Sequence, residues 1–120
     1  MNDAILQSEG AGPDAEITPP ARATDVAMRR ALLAQAMASL KDGVDMERFL
    51  TDLCSPAELR ALSERWHVAK LLDAGALSYR EINARTGVST TTIGRVARFL
   101  NEEPHQGYRA ALDNINKNRD

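Results

Sequence analysis

Apolar side chains recur at helical spacing in several blocks of this chain. Leu59, Leu62, Trp66, Ala69 and Leu72 fall at three- and four-residue steps, with Val68 and Leu71 broadening the stripe. The block opens on Ser55-Pro56-Ala57-Glu58: serine caps, proline takes the first helical position, and glutamate closes a capping box. It stops at Gly75. The predicted helix, about 18 residues and about 27 Å long, is the central strut of the domain. Upstream, Met28, Leu32, Leu33, Gln35, Ala36, Met37 and Leu40 predict an alanine-rich helix capped by Thr24 and ending near Lys41-Asp42-Gly43. A short second helix is expected from Asp45 to Leu53, with Met46, Phe49, Leu50 and Leu53 on one face.

Residues 77–100, LSYREINARTGVSTTTIGRVARFL, carry two shorter helical patterns broken by one glycine. Ser78 and Glu81 form a second capping box, and Ile82 and Thr86 face inward. Gly87 supplies the positive φ that a tight turn needs and a side chain would penalise. Val88 plugs the corner, Ser89 caps the second helix, and Ile93 and Val96 bury it against the first. Thr90, Thr91, Gly94, Arg95 and Arg98 are left on outward faces. This is the sequence form of a helix-turn-helix over about residues 78–101, a unit that lays one helix in the major groove of DNA.

Glu102-Glu103-Pro104 ends that helix. Gly107 separates a final short helix near Tyr108 to Ile115, and the polar NKNRD end is expected to fray. Before the first helix, residues 1–23 mix Gly, Pro, Asp and Ser, and Pro19-Pro20 interrupts any helix. They are expected to be a disordered arm, with one helical domain over 24–118.

Scarce aromatics and abundant alanine and leucine suit an all-α protein of 120 residues. The net charge of -2 is unevenly spread. Residues 1–54 hold nine acids and five bases, whereas 55–101 hold seven bases against four acids. The positive excess sits on the segment carrying the turn, which is compatible with specific DNA binding and predicts weak non-specific affinity at physiological salt.

The single Cys54 excludes an intrachain disulfide and a cysteine-based metal site. No cofactor or metal is expected. No apolar run spans a bilayer and the start lacks a secretion signal, so no membrane partner is expected and the cytoplasm is the expected compartment. An enzyme is disfavoured: His67 and His105 are far apart, and there is no phosphate-binding glycine loop. His67, beside the apolar stripe, is expected to be partly buried. The rival reading is a helical adaptor that binds protein without DNA.

Few aromatics and short helices bury little apolar area in a monomer. Pairing about a two-fold axis would cover the first two helices and set two reading helices about one DNA turn apart. A homodimer on double-stranded DNA is therefore expected.

Ser55-Pro56-Ala57-Glu58-Leu59, Leu62-Ser63-Glu64-Arg65, Leu71-Leu72-Asp73-Ala74-Gly75 and Ser78-Tyr79-Arg80-Glu81-Ile82 together resemble the Trp repressor superfamily. Arg65-Trp66-His67-Val68-Ala69-Lys70 and Ser89-Thr90-Thr91-Thr92-Ile93-Gly94-Arg95-Val96 are similar to its YerC/YecD branch. The resemblance spans about residues 25–115. It implies an intertwined, all-helical homodimer acting as a transcriptional regulator, as a repressor by the family's habit. It places DNA contacts at Tyr79, Arg80, Asn83, Thr90, Thr91 and Gly94. Arg80 suits a bidentate guanine contact, and Arg85, Ser89 and Arg98 suit phosphates.

The family's tryptophan slot is matched by Arg65 and Arg95, so Ser55, Arg65, Arg95 and Val96 mark a candidate pocket for an unknown effector. Where that family has a small glycine beside the second arginine, this chain has Val96. Its side chain is expected to project into the indole slot, which disfavours tryptophan.

Overall fold

A computed structural model describes residues 22–118. These form six α-helices and no strand: α1 (Ala23–Ser39), α2 (Gly43–Leu53), α3 (Pro56–Ala74), α4 (Tyr79–Thr86), α5 (Thr90–Asn101) and α6 (Gly107–Asn118). The all-α expectation holds for the described residues. The arm expected over 1–23 lies outside them but for Arg22 and Ala23, and Ala23 already opens α1. No helix among them is long and apolar enough to cross a membrane.

The chain divides between Met46 and Glu47 into two compact units. In the first, Thr24 is not the cap of α1; it lies inside the first turn. Arg22 takes the cap position, and its backbone N–H donates to the Asp25 carboxylate at 3.4 Å. The helix stops at Ser39, short of the predicted Lys41, and Leu40 is extended. The Ser39 hydroxyl donates to the Ala36 carbonyl at 2.6 Å, a local bond that competes with continued helix. No residue of α1 is buried, and Met28 and Leu32 are more than half exposed. Helix α2 starts two residues earlier than Asp45, because the Asp42 carboxylate accepts the Val44 N–H at 2.9 Å.

The second unit holds the core. Helix α3 has the predicted bounds: the Ser55 hydroxyl accepts the Glu58 N–H at 3.1 Å, and the Glu58 carboxylate accepts the Ser55 N–H at 2.8 Å. Gly75, at φ 72°, closes the helix in the left-handed region. Helix α5 packs on α3, α4 and α6, and α6 packs on α3. Val68, Ala69, Ile82, Val88, Ile93 and Val96 form the buried cluster, with Trp66, Leu71, Leu72, Leu77 and Tyr108 packed against it.

The stripe on α3 is buried unevenly. Only Val68 and Ala69 are fully buried, whereas Leu62 is 43 % exposed. Helix α3 has 19 residues and α5 has 12, so the shorter helix covers only part of its length. His67 is exposed, not partly buried as expected, because it points away from the Val68–Ala69 contact.

The last helix also departs from expectation. Gly107 is its first residue, and Gln106, at φ 55°, makes the bend before it. Asn116, Lys117 and Asn118 are helical where fraying was expected. Buried Leu112 anchors this helix, and the Arg109 guanidinium donates to Asp73 of α3 at 2.8 Å.

Candidate nucleic-acid interface

Helices α4 and α5 are joined by a three-residue turn, and several backbone groups near the corner are tied by hydrogen bonds. The Ser78 hydroxyl accepts the Glu81 N–H at 3.1 Å, and the Glu81 carboxylate accepts the Ser78 N–H at 2.8 Å. That backbone N–H, then the Ser78 hydroxyl, hold the Glu81 carboxyl below its ordinary value. At the other end Gly87 sits at φ 77°, ψ -1°, and its N–H donates to the Asn83 carbonyl. Val88, next in line, is clamped on both sides. Its N–H donates to the Thr86 hydroxyl at 3.0 Å, while its carbonyl accepts the Asn83 side-chain amide at 2.8 Å. The Thr86 hydroxyl in turn donates to the Ile82 carbonyl at 2.7 Å.

Ser89 then caps α5, accepting the Thr92 N–H at 3.1 Å. Ile93, Val96, Ala97 and Leu100 are buried along one side of that helix. Their burial fixes its rotation and turns Thr90 and Thr91 to solvent. The bend expected from the sequence is present, and both threonines stand outside the core.

The proposed contact residues fall into two groups. Tyr79, Arg80, Arg85, Ser89, Thr90, Thr91 and Arg98 are exposed on α4, the turn or α5. Asn83 and Gly94 are half-buried, and the Asn83 amide nitrogen is already committed to the Val88 carbonyl. Between Ser78 and Asn101 there are four arginines and one acid, Glu81, whose carboxylate is held in its capping box. The face is therefore positive.

The candidate effector residues are only partly brought together. Arg65 and Arg95 do meet around a recess of about 170 Å³, which Ala61, Glu64 and Thr92 also line. Ser55 does not line it; its side chain caps α3. Val96 does not project into it either. It is 1 % exposed and packed in the core cluster, because the side of α5 facing α3 and α4 claims it.

Two features escaped the sequence reading. Arg109 and Asp73 pair across 36 positions, which no local pattern reveals. The guanidinium carbons of Arg95 and Arg98 lie 4.5 and 5.2 Å from the centre of the Phe99 ring, and the i,i+4 spacing of Arg95 and Phe99 was a usable signal.

Known proteins share this architecture. Residues 30–116 match the family model described as Trp repressor protein. The uncharacterized protein YerC of Bacillus subtilis is 41 % identical over 83 residues, 69 % of this chain and 78 % of that one. A crystallised TrpR-like protein from Eubacterium eligens superposes with a TM-score of 0.65 at 38 % identity, covering 72 % of this chain and 87 % of its own. A candidate Trp repressor from Staphylococcus aureus gives 0.65 at 28 % identity, over 88 % and 96 %.

Proposed function

The chain belongs to the Trp repressor family, and we propose that it is a sequence-specific DNA-binding transcriptional regulator, a repressor, acting as a homodimer. One observation carries this reading. The left-handed Gly87 turn and the buried side of α5 leave Thr90 and Thr91 exposed at the start of a capped helix, on a surface rich in arginine. A helix so presented suits the major groove. In this reading Arg80 takes a guanine edge, Tyr79, Thr90 and Thr91 touch neighbouring bases or sugars, and Arg85, Ser89 and Arg98 hold phosphates. Asn83 acts chiefly by fixing the turn, and Gly94 lets the backbone approach.

Pairing is supported by the apolar residues left uncovered on the first helices, Val26, Met28, Leu32 and Val44 among them. Binding is proposed to need no tryptophan. The recess between Arg65 and Arg95 is smaller than ordinary small-molecule sites and carries the Glu64 carboxylate on its wall. Cytoplasmic residence follows from the proposed role.

Selection of bound duplexes from random DNA, followed by fluorescence anisotropy across a salt series, tests the proposal. Two-fold symmetric half-sites are expected, with Arg80→Ala weakening the selected site by about 1–3 kcal/mol and relaxing one position. Recovery of no common sequence, or equal affinity for selected and scrambled duplexes, would refute it. Calorimetry with L-tryptophan is expected to show no stoichiometric heat.

A further inference from the structure

Arg98 differs from the other three arginines between Ser78 and Asn101. Arg80, Arg85 and Arg95 make no ion pair among the described residues, whereas the Arg98 Nε lies 3.5 Å from a Glu103 carboxylate oxygen. That carboxylate is not carried by a loose chain end. Helix α5 stops at Asn101, and the backbone folds back so that the Glu103 N–H donates to the Arg98 carbonyl at 3.0 Å. The Glu103 carbonyl accepts the Gln106 side-chain amide at 2.9 Å. Glu103 is therefore tied through its own N–H and C=O, and it is half-buried while Arg98 is exposed. Glu102, of equal charge and next in the chain, is exposed and makes no ion pair among the described residues. Of the two acids that follow α5, only one reaches back to an arginine of the reading helix.

A guanidinium accepts a carboxylate and a phosphate by the same N–H fork. The Phe99 ring, centred 5.2 Å from the guanidinium carbon of Arg98, supports the cation without offering an acceptor to that fork. Glu103 is thus the partner that an incoming anion must deal with. A phosphate either takes the place of the carboxylate or shares one guanidinium with it and is repelled. Exposed ion pairs hold by a severalfold factor at most, so phosphate can still win. We propose that Glu103 is an internal competitor of DNA phosphate for Arg98, lowering affinity for every duplex by the same factor. This rests on the DNA reading of the α4–α5 face and adds a residue that tunes it. Phosphate contacts carry no base information, so discrimination between sequences stays with the base contacts.

Fluorescence anisotropy of the full chain on selected and scrambled duplexes, across a salt series, tests the assignment. Glu103→Gln keeps the backbone bonds and removes the charge. It should tighten both duplexes equally, by about threefold for each bound protomer. The salt slope should steepen by at most about 0.9 for each protomer. Glu102→Gln, which removes the same charge one position away, should stay within about 1.5-fold of the parent. In an Arg98→Gln background, Glu103→Gln should change nothing. Equal tightening by Glu102→Gln and Glu103→Gln would reduce the effect to general charge and overturn the proposal. So would a Glu103→Gln effect that survives without Arg98, or one confined to the selected duplex. A parent chain that binds neither duplex would defeat the DNA reading as well, whereas the other failures leave that reading standing.

Discussion

Gly87 and Gly94 lie seven positions apart, and the same change to alanine is expected to move stability in opposite directions. At Gly87 an added Cβ meets no atom within 4 Å, so the penalty is purely conformational. Holding alanine in the left-handed region costs about 1–2 kcal/mol. Loss of unfolded-chain freedom returns about 0.4–1 kcal/mol, leaving a net destabilisation of about 1 kcal/mol. Gly94 sits inside α5 and its Cβ also meets open space. There alanine gains about 0.8–1.0 kcal/mol in helix propensity. The two variants should thus differ by about 2 kcal/mol, although both add one methyl group. Urea unfolding read by circular dichroism at fixed protein concentration measures this, since a dimer's midpoint depends on concentration. The slopes should match that of the parent while the midpoints move apart. Gly87→Asn, better tolerated in this backbone region, should fall between Gly87→Ala and the parent. A Gly87→Ala midpoint equal to or above the parent's would refute the claim that this turn depends on left-handed backbone.

Other perturbations separate packing, hydrogen bonding and charge. Ile93→Ala empties a fully buried site between α5 and the rest of the core, and should cost about 2–5 kcal/mol by denaturant titration. Asn83→Ala removes the 2.8 Å bond to the Val88 carbonyl and should cost about 1 kcal/mol of stability. Its DNA affinity, measured well below the unfolding temperature, should fall less than that of Arg80→Ala; the reverse order would make Asn83 a principal contact. The depressed Glu81 carboxyl stabilises the fold above its ordinary value of 4.5, and that contribution is lost as pH falls through the lowered folded value. Glu81→Gln should therefore flatten the acid limb of thermal stability while Glu58 keeps its share, and parallel acid limbs for the two proteins would exclude this role.

Much of the second unit was legible because its signals act over a few residues. Ser55, Ser78 and Ser89 each cap the helix that follows, and Gly75 and Gly87 each adopt positive φ. Such choices depend on backbone hydrogen bonds within one turn, which neighbouring residue types decide. The errors at Thr24 and Gly107 have the same scale. Asp25 and Asp42 outcompeted the expected signals at α1 and α2, and Gln106 took the bend that a glycine was expected to make.

Sequence alone determined the all-α class, the bounds of α3, α4 and α5, and the bend that turns Thr90 and Thr91 outward. Tertiary structure decided that Leu62 and His67 face solvent, that Val96 joins the core instead of a ligand slot, and that Arg109 reaches Asp73. It also gathered Trp66, Phe99, His105 and Tyr108 from separate parts of the chain around one recess. The physical reason is range. Helical periodicity says which residues share a face, but how much of that face is covered depends on the lengths and crossings of the helices packed against it.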